Sequence, residues 1–267
     1  WDWLSALERL SVLVSRAEAE GSSEIQPLAD YDLPMDDPAW TIAGLPILKD
    51  HPTILFGDGG AAKSYLALYL AGTIAREVPT IFIDFEFEPE AHRARLQRLF
   101  GAAMPQGLHY VRCSQPLVTE VGRLQKWMLE YGCRFCVVDS IVAAGFFRSL
   151  RTLNVGSLSL AHQTKGGDNS DKTVFGSAFY NNGARSVWHV RRNDNEGADS
   201  STVELALSHR KSNTGQRLST RGIKLDFAGT TTTVDTFDLA GSADLATALP
   251  IWQRVKSLVA HTPMTVP

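Results

Sequence analysis

Apolar side chains recur at Leu4, Leu7, Leu10, Leu13 and Val14, the spacing of one helix face, and Gly21 closes that run. Residues 21–53 are rich in Pro, Asp and Ser and read as a long connection. The pattern then becomes one of short apolar blocks separated by helical stretches. ILF at 54–56, TIFIDF at 80–85, LHYVR at 108–112 and FCVVDS at 135–140 predict strands. The segments from Lys63 to about Arg76, 89–100 and 117–131 predict helices, the last with Leu117, Val118, Val121, Leu124, Trp127 and Met128 on its buried side. FCVVDS is the most apolar of the strands and fits a central position covered on both faces. A helix at 146–153 and a strand at 155–161 follow.

Beyond residue 185 the character changes. SVWHV, TVELALS, GIKLDF and TTTVDTF read as strands with no helices between them, joined by turns containing Gly or Asn. This predicts an α/β fold, a mostly parallel sheet extended by C-terminal antiparallel strands. The tail LPIWQRVKSLVAHTPMTVP resumes helical spacing through Ile251, Val255, Leu258 and Val259. It is expected to open a further domain near Ala246, of which this chain carries only the beginning. The Trp1 start likewise suggests a fragment of a longer chain.

Composition narrows the function classes. The formal charge of -3 provides no global positive field, so any nucleic acid must be met by local basic loops. Cys113, Cys133 and Cys136 cannot build a disulfide framework, which points to a reducing, cytoplasmic setting. Cys133 and Cys136 have the spacing of half a zinc site, but with no second pair they read as small buried residues. No apolar run reaches the about 18–20 residues that cross a bilayer, so no membrane partner is expected.

The strongest chemical signal is GDGGAAKS, Gly57 to Ser64, between a strand and a helix. A phosphate loop requires GxxxxGK[ST] in that context, because glycines let backbone amides converge on phosphate oxygens at a helix N-terminus. The phosphate-binding stretch is Gly57, Asp58, Gly59, Gly60, Ala61, Ala62, Lys63, Ser64 and Tyr65. Lys63 would reach the β- and γ-phosphates of ATP, and Ser64 would ligate Mg²⁺. Ala62 stands where glycine is usual. If it needs a positive φ, its Cβ costs about 1–2 kcal/mol; if it is already helical, the substitution is nearly free.

Polar residues converge from other strand ends. Asp139 ends the apolar strand 135–139, where a carboxylate is costly unless paired or beside a metal. It reads as the acid holding the Mg²⁺ water shell, with Ser140 able to orient it or a metal water; a helix cap is the structural alternative. Glu86 lies just past the second strand and is the candidate base for the attacking water, with Glu88 as the substitute. Asp84 is expected to pair with Lys63 or Arg95. His162 and Gln163 arrive at the same edge, placed to hydrogen-bond a γ-phosphate. The segment 165–185, with Lys165 and Lys172, and the loop beginning at Arg191 carry the local basic groups that any nucleic acid would meet.

These motifs together resemble the RecA-like ATPases of the RepA-type hexameric replicative helicases. The residues that carry the likeness are AGLPI, GDGGAAKS, IDFEFEPEAHRARL, VVDSI, LAHQTK, FGSAFYNNGARSVWHVRR and LSHRKSN with Gly215, within residues 40–240. The resemblance implies an N-terminal helix and linker over 1–39, a RecA-like P-loop core over 40–240 and the start of a winged-helix-like domain over 241–267. It implies an ATP-driven helicase of a plasmid, phage or mobile element, acting as a hexameric ring of identical subunits on single-stranded DNA in the cell or phage host. It also implies Arg95 near the base, His162 and Gln163 as a sensor, and Arg210 and Lys211 as fingers into the neighbour's site. Two alternatives stay open: a DNA-dependent ATPase or loader that does not unwind, and a degenerate ATP-binding scaffold. Relatives have a longer loop after VVDSIVAAG, so residues are expected to be missing between Gly145 and Phe146.

Overall fold

The computed structural model describes residues 3, 6–7, 9–11, 13–14, 27–32, 38–141, 146–163, 182–193, 200–242 and 244–261. Residues 1–37 and 38–267 form separate compact units. In the first, the described residues between Trp3 and Val14 are helical, and Trp3, Leu7, Leu10 and Leu13 are exposed. Leu28–Asp30 forms a single 3₁₀ turn.

The second unit is an α/β structure around a nine-stranded sheet. Its strands are β3 (Pro52–Gly57), β4 (Thr80–Asp84), β5 (Leu108–Arg112), β6 (Phe135–Asp139), β7 (Gly156–His162), β8 (Ser186–Arg192), β9 (Thr202–Ser212), β10 (Arg221–Asp226) and β11 (Thr233–Phe237). The order across the sheet is β11-β10-β9-β8-β3-β7-β6-β4-β5. β5 through β8 run parallel, and β9, β10 and β11 continue antiparallel. This is the expected α/β class, with one correction. β8, read as the first antiparallel strand, is parallel to β3, with Ile54 beside Val187 and Gly57 beside Val190. Strand direction depends on which way the preceding connection crosses the sheet, and no periodic signal in 164–185 reveals that crossing.

Helices α1 (Lys63–Ile74) and α2 (Pro89–Phe100) cover one face, and α3 (Leu117–Glu130) and α4 (Phe146–Thr152) the other. Alternation within each strand decides which core a residue joins: Phe82 and Val137 pack with Leu66, Leu70 and Leu96, while Ile81, Ile83 and Val138 pack with Leu124, Met128 and Leu150. β6 is buried at every position, as its unbroken apolar run requires. On α3, Val118 faces solvent, contrary to expectation, because it sits on the first turn beside the buried Leu117. Cys113, Cys133 and Cys136 are free thiols in the core, and burial pushes the Cys136 thiol up to about 12.

The stretch read as connection contains a hairpin, β1 (Ala39–Ile42) with β2 (Leu45–Leu48). Its two-residue turn puts Ala43 at φ 49 and Gly44 at φ 73, the left-handed pair that suits a tight hairpin. Trp40, Ile42, Leu45 and Ile47 join the core over α1, and the Trp40 indole donates to Glu77 at 2.9 Å. Four-residue strands are too short to display a period, which is why sequence reading passed over them.

At the other end, Leu239, Leu245 and Leu249 bury themselves with Ala206 of β9. The final helix, α5 (Ile251–His261), leaves Ile251, Trp252, Val255 and Val259 exposed. Among the described residues no helix is long and apolar enough to cross a membrane.

Candidate nucleotide site

β3 delivers the chain to the phosphate loop at Gly57, which touches its neighbour so closely that a Cβ there would lie 2.2 Å from the Val190 carbonyl oxygen. Only glycine fits. The loop ends at Ala62, the residue preceding α1, whose φ of 52 and ψ of 21 are left-handed. Of the two readings, the strained one holds. No side chain caps α1, so its first amides and positive end are open to an anion. Ala62→Gly is therefore expected to stabilise the fold by about 1 kcal/mol, since glycine carries no Cβ penalty there but loses some in chain entropy. The measurement is a thermal melt, and the expected rise is about 2–4 °C; an unchanged or lowered midpoint would refute it.

Lys63 is buried, and its ammonium donates to the carbonyls of Gly57 at 3.1 Å and Asp58 at 2.7 Å. Burial holds its pKa below the ordinary lysine value, while the carboxylates of Asp139, Glu86 and Asp58 pull it back up. Strand tips two and three places along the sheet from β3 thus act electrostatically on one ammonium. Asp139 is 2% exposed; burial pushes it up to about 6, with the Ser64 hydroxyl opposing by a hydrogen bond and Glu86 and Asp84 adding to the rise. Its Oδ2 is buried without a hydrogen-bond partner. That orphaned acceptor, with Ser64 beside it, fits a divalent cation carrying its own waters. Among the described residues no three His, Cys, Asp or Glu side chains converge on a metal. One carboxylate, one hydroxyl and substrate phosphates form the donor set magnesium prefers over a protein cage. Below about pH 6 a proton occupies this carboxylate and competes with the cation.

Glu86 is exposed at the rim. Its Oε1 accepts from the Ser140 hydroxyl at 2.7 Å and lies 3.6 Å from His162 Nε2. Ser140, expected to orient Asp139 or a metal water, directs its hydroxyl to Glu86 here. Glu88 precedes α2 and pairs with Arg112, away from that role, and Glu90 occupies the helix's first turn. The Arg95 guanidinium stacks 4.7 Å from the Phe87 ring and 5.9 Å from Tyr65, next to the Glu86 segment. Tyr65 itself turns to Thr232 at 3.2 Å.

Asp84 corrects another expectation: it pairs with neither Lys63 nor Arg95. It is fully buried, accepting from the amides of Glu86 at 2.9 Å and Phe87 at 3.2 Å, from Tyr110 at 3.2 Å, and contacting His92 Nε2 at 2.7 Å. Burial pushes its carboxyl up, but these hydrogen bonds win and hold it below the ordinary aspartate value. Sequence reading missed His92 and Tyr110. Tyr110 stands beside Phe82 in the β4–β5 register, and the alternation of LHYVR was its available signal; His92 comes from helix α2.

The remaining candidates divide. Gln163 sits beside the loop, its backbone N–H donating to the Gly57 carbonyl at 3.2 Å. Arg192, read as part of an exposed loop, reaches the Gly60 carbonyl at 3.4 Å. The Arg191 guanidinium pairs with Asp244 and donates to the Thr247 hydroxyl at 2.7 Å. The Lys211 ammonium donates to the Ala184 carbonyl at 2.8 Å, and Arg210 lies on the exposed end of β9, beside His189. Lys165 and Lys172 lie outside the described residues, as does Gly145 of the expected gap.

A glycine turn entering a helix at a lysine and serine, with carboxylate-tipped parallel strands two and three places along the sheet, has the geometry of a phosphate-binding loop. In agreement, a family model described as an AAA domain, a family of P-loop ATPases, matches residues 19–149. The match covers the phosphate loop, Glu86 and Asp139; the strand ends at Gln163 and His189 lie beyond it. Among curated proteins no sequence matches the chain.

Proposed function

We propose that this chain is the ATP-hydrolysing core of a ring-forming motor that moves along single-stranded DNA, the replicative helicase of a plasmid, phage or mobile element, working in the cytoplasm. The observation that carries the reading is the convergence of Asp139 and Glu86 on the Lys63 ammonium beside an open helix N-terminus. Lys63 leaves its two carbonyls for the β- and γ-phosphates, and the amides of α1 hold the same oxygens. Ser64 and Asp139 would hold Mg²⁺, which supplies charge neutralisation at the phosphates when bound. Glu86 accepts the proton of the attacking water while Ser140 fixes its carboxylate. His162 and Gln163 serve as the sensor. Lys211 acts across the ring, Arg210 being engaged with His189 of its own chain, and Lys165 and Lys172 meet the DNA backbone.

The degenerate scaffold draws support from the strained Ala62. Against it, Lys63, Ser64, Glu86 and Asp139 are all retained, and a scaffold needs no aligned base. Phosphate release measured with and without single-stranded DNA tests the proposal. The expected result is Mg²⁺-dependent hydrolysis stimulated by DNA, with strand separation on a forked duplex. Turnover without strand separation would leave the non-unwinding ATPase, and tight ATP binding without turnover would leave the scaffold.

A further inference from the structure

Strands β7 and β8 flank β3, and across the root of the phosphate loop a side-chain contact joins Gln163, just past the end of β7, to His189 within β8. Gln163 and His189 are both buried, and Gln163 Oε1 lies 3.0 Å from His189 Nε2. The imidazole stacks on Phe56 of β3, with ring centres 4.8 Å apart. Its other nitrogen, Nδ1, lies 3.4 Å from the Arg210 guanidinium on β9. Three side chains from three strands thus form a line from the exposed edge of β9 to the nucleotide site.

The chemistry of each group fixes the direction of that line. A guanidinium only donates, so His189 Nδ1 must carry the lone pair. The hydrogen then resides on Nε2, which donates to Gln163. The reverse orientation of the Gln163 amide would set N–H against N–H. With its oxygen committed to His189, Gln163 turns its NH₂ group the other way, and that group makes no hydrogen bond among the described residues. A phosphoryl group is acceptor-only, so a side-chain amide beside it serves only when its NH₂ end faces it. A freely rotating glutamine would present oxygen and nitrogen alike.

We infer that His189 and Arg210 are positioning residues that lock Gln163 as a hydrogen-bond donor to the terminal phosphoryl of a bound nucleoside triphosphate, distinguishing triphosphate from diphosphate. This rests on the nucleotide-binding reading above and adds a tautomer relay to it. The discrimination comes from one donor that the triphosphate engages and the diphosphate does not reach. Hydrogen bonds to charged acceptors are strong enough for such a loss to be read as about tenfold in affinity.

The test is equilibrium binding of AMP-PNP and of ADP, each with Mg²⁺, to the full chain and its variants. The wild type is expected to prefer AMP-PNP. His189→Leu should lower that preference about tenfold through weaker AMP-PNP binding, with ADP affinity held within about twofold. His189→Gln can donate to Gln163 and accept from Arg210, and should retain most of the preference. Gln163→Leu should match His189→Leu, and the double variant should lose no more than either. A folded His189→Leu chain with wild-type preference would overturn the inference, as would equal losses for AMP-PNP and ADP. If His189→Leu does not fold, Arg210→Met decides instead. It removes the guanidinium donor facing Nδ1, so an undiminished preference there overturns the relay. A wild type that binds neither nucleotide sinks the nucleotide-binding reading itself, whereas one that binds both equally sinks only the relay.

Discussion

Glu86→Gln is expected to slow phosphate release by about 10²–10⁴-fold, the range for loss of a positioned general base, while ATP still binds. The amide matches the carboxylate in size and keeps an oxygen for the Ser140 hydroxyl, 2.7 Å away in the native chain. The rim geometry should therefore survive. It cannot accept a proton from water. Because Glu86 is exposed and lies outside the cradle formed by Lys63 and the first turn of α1, nucleotide affinity should change little. Single-turnover phosphate release compared with equilibrium ATP binding measures both halves. Release within about threefold of wild type would mean another group activates the water.

Asp84→Ala is expected to cost about 3–5 kcal/mol of stability, the range for removing one partner from a buried charged network. Four donors converge on this carboxylate: the amides of Glu86 and Phe87, the His92 ring and the Tyr110 hydroxyl. Alanine leaves the interior ones without water or partner, and that unmet need outweighs the volume lost. The midpoint of thermal unfolding should fall by about 6–20 °C at about 2–4 °C per kcal/mol. A fall below about 3 °C would show the network to be dispensable. The pH dependence follows from the sign of the shift. The folded carboxyl titrates below its ordinary value, so its contribution is present above about pH 4 and is lost as pH falls through the folded pKa. The same residue anchors the backbone amide of Glu86, so Asp84→Asn, which retains one acceptor, should slow hydrolysis by disturbing the base before it unfolds the chain.

The parts of the site legible in the sequence were those announced by local chemistry. A lysine and serine after a glycine turn, and a carboxylate after an apolar strand, are informative wherever the strands end up, because parallel strands bring their C-terminal tips to one edge. Asp84 was misjudged for the opposite reason. Its carboxylate was expected to seek a lysine or an arginine, yet a histidine eight residues on and a tyrosine from β5 reach it first, since all three share the Phe82 face. The partner of Arg191 was equally hidden: the loop around it is polar, and Asp244 folds back against it from fifty-three residues away.

The order of residues alone determined the strand and helix succession, the two-faced core and the residue types at the phosphate site. Periodicity and burial are local properties that each segment carries with it. Only tertiary structure decided the parallel direction of β8, the left-handed backbone at Ala62, the partner of Asp84 and the line from Arg210 through His189 to Gln163. Each of these depends on which segments become neighbours, and hydrogen-bond direction and backbone strain arise only once those neighbours are in contact.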